Sequence, residues 1–219
     1  MRRKLERFAQ NKESRNVLEQ GKEIFETIKG NWHDFFANDH PLVVELGCGR
    51  GEYTIGLSQV EPSSNYIGVD IKGDRIWKGS TQAQELSLDH VAFLRTQIHL
   101  LDRFFEEGEI SEIWITFPDP RPKDRDIKRR LTSPRFLQMY QKLLKKGGWV
   151  KFKTDNTSLF DYTLSLFDKE VQVIDLSYTH DLYNSPLLAE HHGVKTKYEK
   201  IFTDKGEDIK YMKFRFANA

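Results

Sequence analysis

Short apolar runs separated by amphipathic stretches recur along most of the chain. The runs at residues 42–46, 65–70, 91–94, 112–117 and 149–154 predict five buried strands. The stretches between several of them carry apolar residues at helical spacing. Strands separated by helices are typical of a parallel sheet with right-handed crossovers.

Three amphipathic stretches predict helices. One spans about residues 73–88, and another spans about 157–168. A third begins at Ser133-Pro134, a typical helix start, and Gly147-Gly148 beyond it predicts its C-terminal cap.

The C-terminal part of the pattern is different. A strand is predicted at 171–177, and two further strands at 198–202 and 209–216 are joined only by the turn-rich segment 204–207. Strands with so short a connection must pair antiparallel. The pattern therefore predicts a mostly parallel sheet with one reversed strand near its C-terminal end.

The first thirty residues are charged, with scattered apolar positions that predict a mobile arm leading into one amphipathic helix. We therefore divide the chain into an N-terminal arm and helix at 1–40 and a main domain at 41–219.

Composition narrows the class of protein. With 38% hydrophobic residues the chain can bury a core, and no apolar run is long enough to span a membrane. No secretory signal is visible, and the single cysteine, Cys48, fits a reducing compartment, so we expect a cytoplasmic protein. The histidines lack zinc-ligand spacing, and His191-His192 are interpreted as surface loop residues, so no metal is expected.

Charge is unevenly distributed although the net charge is only +1. The segment 121–153 holds twelve Lys/Arg and two acidic residues, which leaves the rest of the chain acidic. Such a segment suits a phosphate backbone, but a solvated basic face would look the same by charge alone.

A glycine-rich loop follows the first strand of the main domain. Gly47, Gly49 and Gly51 leave room for a ligand near the backbone, at the strand end where open α/β sheets bind ligands. Asp70 ends the next strand, where a carboxylate can accept both hydroxyls of a ribose. The Gly-x-Gly-x-Gly spacing differs from that of dinucleotide-binding proteins.

A proline-rich segment follows the strand at 112–117. Pro118, Pro120 and Pro122 stiffen it and forbid helix, which holds Asp119 at the strand end. A basic run follows at once. A rigid surface loop would explain the prolines but not a carboxylate and six cations at this edge, so the combination favours nucleic acid.

These motifs resemble those of a known family. With Glu45 before it, the glycine loop resembles motif I of class I methyltransferases, and Phe117-Pro118-Asp119-Pro120-Arg121-Pro122-Lys123 resembles the Phe-Pro-Asp-Pro-Trp-Pro-Lys signature of the TrmB family of tRNA (guanine-N7)-methyltransferases. The likeness extends to Thr154-Asp155-Asn156 and Thr196-Lys197-Tyr198-Glu199. It runs from about residue 42 to the C-terminus.

The resemblance implies a Rossmann-like class I methyltransferase fold, α/β, with a mostly parallel seven-stranded sheet, one antiparallel C-terminal strand and helices on both faces. It implies methyl transfer from S-adenosyl-L-methionine to N7 of guanosine 46 in the tRNA variable loop. The expected partner is tRNA, and no protein partner is implied.

Site residues are implied in the same way. Asp119 is the implied catalytic carboxylate. The implied cofactor-binding residues are Glu45, Gly47, Gly49, Gly51, Asp70, Gln97 and Asp119, with Asp70 on the ribose, Thr96-Gln97 by the adenine and Glu45 near the methionine ammonium or loop N–H groups. Implied substrate-binding residues are Lys123, Asp155, Thr196, Lys197, Tyr198 and Glu199, and implied RNA-contacting residues are Arg125, Asp126, Ile127, Lys128, Arg129 and Arg130.

Alternatives stay open at this point. Asp155 could cap the next helix, and Glu199 could be a surface residue on a strand. Arg121 and Asp126 stand where the family usually has Trp and His. The protein could also methylate a small molecule or another RNA, or be a non-catalytic RNA-binding relative.

Overall fold

The computed structural model describes residues 2–167 and 169–217. Its strands are β1 (Val17–Leu18), β2 (Leu42–Leu46), β3 (Asn65–Asp70), β4 (Val91–Arg95), β5 (Ile110–Thr116), β6 (Leu144–Thr154), β7 (Val173–Thr179) and β8 (Lys210–Phe216). Its α-helices are α1 (Arg2–Glu13), α2 (Glu23–Thr27), α3 (Trp32–Phe36), α4 (Glu52–Val60), α5 (Gly73–Glu85), α6 (Pro134–Leu143), α7 (Thr157–Phe167) and α8 (Lys197–Asp204). Shorter 3₁₀ helices lie at Ile98–Arg103, Asp124–Arg129 and Pro186–His191.

One sheet contains these strands in the spatial order β1-β4-β3-β2-β5-β6-β8-β7. Strand β2 pairs parallel with both β3 and β5, so the strand order reverses at β2. Among the strands of the described residues, only β8 runs against its neighbours, β6 and β7. The predicted mostly parallel sheet with one antiparallel C-terminal strand is confirmed. The described residues form eight strands instead of the seven expected, because the short β1 pairs with β4 at one edge of the sheet.

The alternation of side chains along β2 explains why helices cover both faces. Leu42, Val44 and Leu46 join one apolar core, which includes Trp32 of α3, while Val43 joins the second core on the other face. Every position of β2 is buried, as expected for a parallel strand covered on both sides. Glu45 lies on the same face as Val43 and is therefore buried as well.

The N-terminal region is more structured than predicted. It contains α1, α2, α3 and strand β1, which pairs parallel with β4 and buries Val17 and Leu18 completely. The side-chain amide of the buried Asn11 donates to the Gly73 carbonyl at 2.8 Å, which fixes α1 against α5. The prediction of a mobile arm with one helix is wrong because a two-residue strand has too few positions to show a period.

The predicted strand at 198–202 is also wrong, since these residues belong to helix α8. The Thr196 hydroxyl accepts a hydrogen bond from the Glu199 backbone N–H at 3.1 Å, so Thr196 caps the helix. Thr-x-x-Glu is a recognised helix-start pattern. Strand β8 consequently pairs with β6 and β7 instead of forming a hairpin with 198–202.

The prediction that Gly147-Gly148 caps the C-terminal end of helix α6 is wrong. Helix α6 begins after Ser133 as predicted, but it ends at Leu143, and Gly147 and Gly148 lie inside β6. The backbone is already extended at Leu144, which ends the helix before the glycines are reached.

Candidate active site

The glycine loop connects β2 to α4 at the point where the strand order reverses. Gly47, Gly49 and Gly51 all have positive φ, at 77°, 57° and 73°, a region that other residues rarely adopt. A side chain at Gly51 would meet the Phe93 ring at 2.6 Å, whereas Gly47 and Gly49 face open space. Gly51 is therefore required for packing, and the other two leave the loop accessible to a ligand.

Asp70 stands beside this loop at the end of β3. Its carboxylate accepts from the Gly49 N–H at 3.0 Å and from the Lys72 N–H at 2.8 Å, and the residue is 8% exposed. The two backbone donors fix the carboxylate, and each oxygen keeps a lone pair for a ligand. At the end of the adjacent strand β4, Thr96 is buried and Gln97 is exposed.

Glu45 lies behind the loop. One oxygen accepts from the Thr54 N–H at 2.9 Å and from the Thr54 hydroxyl, and the other accepts from the Thr116 hydroxyl at 2.7 Å. Burial raises the pKa of Glu45 to about 7 in spite of these hydrogen bonds. The expected bonds to glycine-loop N–H groups are absent among the described residues, because α4 and β5 supply the donors.

Cys48 is a buried loop residue without a disulfide partner among the described residues. Burial raises the pKa of its thiol well above the usual range, which keeps it protonated. Its side chain packs in the second apolar core, together with Phe93 and Tyr53.

The proline-rich loop leaves β5 with a strained turn. Phe117 has φ +47°, and its N–H donates to the Lys153 carbonyl at 2.8 Å. Asp119 is exposed, and its carboxylate contacts Arg121 through the guanidinium at 3.1 Å and the backbone N–H at 3.2 Å. The carboxylate is thus held at the carboxyl edge of the sheet and is open to solvent.

Two members of the basic run have protein partners. Arg129 pairs with Asp126 at 3.0 Å. Arg130 is only 7% exposed, donates to the Arg121 carbonyl at 3.2 and 3.3 Å, and lies over the Tyr162 ring at 4.4 Å. The expectation that Arg130 contacts RNA is therefore corrected, since its guanidinium holds the proline-rich loop.

The remaining predicted residues of this segment are more accessible. Lys123, Arg125 and Lys128 are exposed, and no ion pair joins them to another residue within 2–167 or 169–217. Ile127 is half-buried and cannot hold a phosphate through its side chain. The free cations therefore occupy a smaller surface than the sequence suggested.

Asp155 is half-buried directly after β6. The helix cap comes from its neighbour Asn156, whose side-chain oxygen accepts from the Leu159 N–H at 2.8 Å. Burial raises the pKa of Asp155. The alternative of Asp155 as the α7 cap is thereby excluded, and its carboxylate remains available for a ligand.

The Thr196–Glu199 motif forms the first turn of α8. Thr196 is buried in its capping role, while Lys197 and Tyr198 are exposed. The Lys197 N–H donates to the Glu52 carboxylate of α4 at 2.7 Å, which joins α8 to the helix after the glycine loop.

Glu199 is fully buried, which corrects the expectation that it reads guanine directly. Its Oε2 accepts from Lys153 Nζ at 2.8 Å, and its Oε1 lies 2.7 Å from His191 Nε2 and 2.9 Å from the Tyr183 hydroxyl. Burial alone raises its pKa, but the His191 hydrogen bond and Lys153 outweigh it and lower the pKa to about 2. The ionised carboxylate has no face open to a ligand.

The partners of this carboxylate were not predicted from the sequence. His191 is 3% exposed and not a surface loop residue, and its Nε2 must carry a proton because an ionised carboxylate only accepts. Lys153 is the last residue but one of β6, a strand with alternating apolar and basic side chains, so its position on a buried face was a usable signal. Thr54, which binds Glu45, had no such signal.

In the described parts of the chain, no group of three or more His, Cys, Asp or Glu side chains is arranged so that it could hold a metal ion. No helix there is long and apolar enough to cross a membrane.

Three features define the class I methyltransferase fold. The order of the parallel strands reverses at the glycine loop after β2, the acidic residue Asp70 ends the neighbouring strand β3, and the antiparallel strand β8 lies between β6 and β7. The solved 16S rRNA methyltransferase KamB shares it, with a TM-score of 0.62 at 13% identity over 85% of this chain and 93% of that one.

Sequence comparison narrows the class. The Methyltransf_4 family, described as "Putative methyltransferase", matches residues 39–212. The chain is 51% identical to a tRNA (guanine-N(7)-)-methyltransferase of Cytophaga hutchinsonii, covering 98% of each. It is 45% identical to that of Bacteroides thetaiotaomicron, covering 97% of this chain and 85% of that one. The chain belongs to the TrmB family of tRNA (guanine-N7)-methyltransferases.

Proposed function

We propose that this protein transfers a methyl group from S-adenosyl-L-methionine to N7 of guanosine 46 in tRNA. The observation that carries the proposal is the position of Asp119 at the end of β5, next to the glycine loop at the end of β2. Relatives named as tRNA (guanine-N(7)-)-methyltransferases support the substrate class, and the resemblance to the family supports position 46.

The loop suits S-adenosylmethionine. Gly47 and Gly49 leave open space in front of the backbone, and the fixed carboxylate of Asp70 can accept hydrogen bonds from ribose hydroxyls. Gln97 stands at the end of the adjacent strand for the adenine. When bound, the cofactor supplies a methyl group on a positively charged sulfur.

Guanine N7 has a lone pair and no proton to lose. The protein therefore contributes mainly approach and alignment, together with charge. The exposed carboxylate of Asp119 can orient the base and balance the positive charge that develops on the methylated purine. The Phe117 N–H, which donates to the Lys153 carbonyl, and the Arg130 guanidinium, which donates to the Arg121 carbonyl, hold the loop that carries this carboxylate.

Recognition of guanine falls to Asp155 in this proposal. Its half-buried carboxylate can accept from N1–H or the exocyclic amine, as a desolvated carboxylate does well. Lys197 and Tyr198 complete the substrate side at the start of α8, where the buried Thr196 holds them by capping the helix. Glu199 acts from behind this surface, and Lys123, Arg125 and Lys128 bind phosphates.

The test uses the purified protein with methyl-labelled S-adenosylmethionine and an unmodified tRNA transcript. Nuclease digestion and mass spectrometry should locate one N7-methylguanosine at position 46. A transcript with adenosine at position 46 should stay unlabelled. Label at another guanosine, or label only on small-molecule acceptors, would refute the proposal.

A further inference from the structure

A cavity of about 730 Å³ lies between α1 and α5, beside the glycine loop. Four cationic residues line it, namely Arg7, Arg50, Arg75 and Lys78, against two acidic ones, Asp74 and Glu85. Arg50 belongs to the glycine loop itself. This α1–α5 groove is therefore positively charged and lies next to the cofactor side of the site.

Specific contacts build the groove. Trp77 Nε1 of α5 donates to the Gln10 side chain of α1 at 2.5 Å, and the Arg7 guanidinium lies 4.6 Å from the centre of the Trp77 ring. Asn11 is tied to Gly73 at the start of α5. These contacts fix the distance between the two helices, so the cations lie at set positions.

Three of the four groove cations have no ion-pair partner among the described residues. Arg50, Arg75 and Lys78 are exposed, and within residues 2–167 and 169–217 none of them forms an ion pair. Unpaired positive charges gathered around one cavity repel one another and attract an anionic ligand. Arg129 of the predicted basic run, by contrast, is already paired with Asp126.

The position of the groove indicates the size of the ligand. Helix α5 follows β3, and the proline-rich loop that carries Asp119, called the Asp119 loop below, follows β5. Strand β2 and the glycine loop lie between β3 and β5. The groove and the free cations Lys123, Arg125 and Lys128 thus flank the site on opposite sides. A single ligand that reaches both must be an extended polyanion.

We infer that the α1–α5 groove binds backbone phosphates of the substrate RNA, on the opposite side of the glycine loop from the Asp119 loop. The inference rests on the proposed function, since it concerns the same RNA. It gives the N-terminal helix, which no family motif covers, a role in substrate binding.

The test is the salt dependence of tRNA binding, measured by fluorescence anisotropy. In Arg75→Ala/Lys78→Ala the log–log salt slope should fall by about 1 to 2, because each lost phosphate contact removes about 0.9. Alanine favours helix, so α5 should stay folded. Arg75→Lys/Lys78→Arg keeps both charges and should retain the wild-type slope.

Lys145→Ala/Lys146→Ala is the matched control, since it removes the same charge from exposed residues where β6 begins, at the opposite edge of the sheet. Its slope should not change. The inference is overturned if the α5 variant keeps the wild-type slope, if the control loses as much, or if the α5 variant loses S-adenosylmethionine affinity in calorimetry. Failure of the wild type to methylate tRNA would refute the proposed function instead.

Discussion

Lys153 and Glu199 form an ion pair at 2.8 Å in which both side chains are at most 1% exposed. The pair joins β6 to α8. The Lys153 ammonium also lies 4.4 Å from the Tyr53 ring and 5.8 Å from the Phe117 ring, and Phe117 stacks on Phe202 of α8. Phe117, the first residue of the Asp119 loop, is thus packed against the cation of this ion pair.

Removing the cation should destabilise the fold strongly. Lys153→Met leaves the buried Glu199 carboxylate without its lysine partner, with only His191 and Tyr183 still bonded to it, which costs about 3–5 kcal/mol of unfolding free energy. Urea unfolding measures this loss of stability. Lys213→Met is the control, because Lys213 forms its ion pair with Glu190 nearer the surface and its removal should cost less. Lys153→Met/Glu199→Gln should regain part of the loss. Equal losses in the two single variants would contradict a special role for the buried pair.

Glu45 should make stability depend on pH near neutrality. Its pKa is raised from 4.5 to about 7 in the folded protein, so its contribution is fully present below pH 4.5 and is lost as pH rises through 7. Between pH 4.5 and 8 the unfolding free energy of the wild type should therefore fall by up to about 3 kcal/mol more than that of Glu45→Gln. Identical pH slopes of unfolding free energy in the two proteins would show that Glu45 is not shifted.

Asp70 should control cofactor affinity. Asp70→Ala removes a carboxylate proposed to bind the ribose, which should weaken S-adenosylmethionine binding by about 1.5–3 kcal/mol in calorimetry. Asp89→Ala, at an exposed site before β4, is the control and should bind normally. If NAD bound in preference to S-adenosylmethionine, the cofactor assignment itself would be wrong.

Asp119 should act by charge and position, not as a base. Because N7 sheds no proton, single-turnover methylation with saturating tRNA and cofactor should be nearly flat from about pH 6 to 9. Saturation also removes any effect of Glu45 on cofactor binding. Asp119→Asn should lower the rate and keep the flat profile. A tenfold rise per pH unit that disappears in Asp119→Asn would identify a general base and another acceptor atom.

The basic run should divide into two functions. Arg125→Ala/Lys128→Ala removes two exposed cations and should lower the salt slope of tRNA binding by about 1 to 2. Arg130→Ala should keep the slope and lower the methylation rate instead, because it frees the Arg121 carbonyl and loosens the Asp119 loop. The assignment fails if Arg130→Ala changes the slope as much as the exposed pair does.

Much of the fold was determined by local sequence. Strands β2 to β5 are marked by short apolar runs, whereas β6 and β8 alternate apolar residues with lysine or arginine. All six strands were therefore predicted, with bounds shifted by up to five residues. The glycine loop, Asp70 and Asp119 follow directly from strand ends, because the carboxyl ends of parallel strands meet at one edge. These residues could be placed without tertiary information.

The tertiary structure decided what the side chains face. Tyr198 and Phe202 suit a strand or a helix equally, and the Thr196 cap with Glu199 buried beneath it settles the helix. Arg130 and Lys128 look alike in a basic run, yet one lies over Tyr162 and the other in solvent. Burial and pairing arise from residues far apart in the chain, such as Lys153 and Glu199, and local patterns do not specify such contacts.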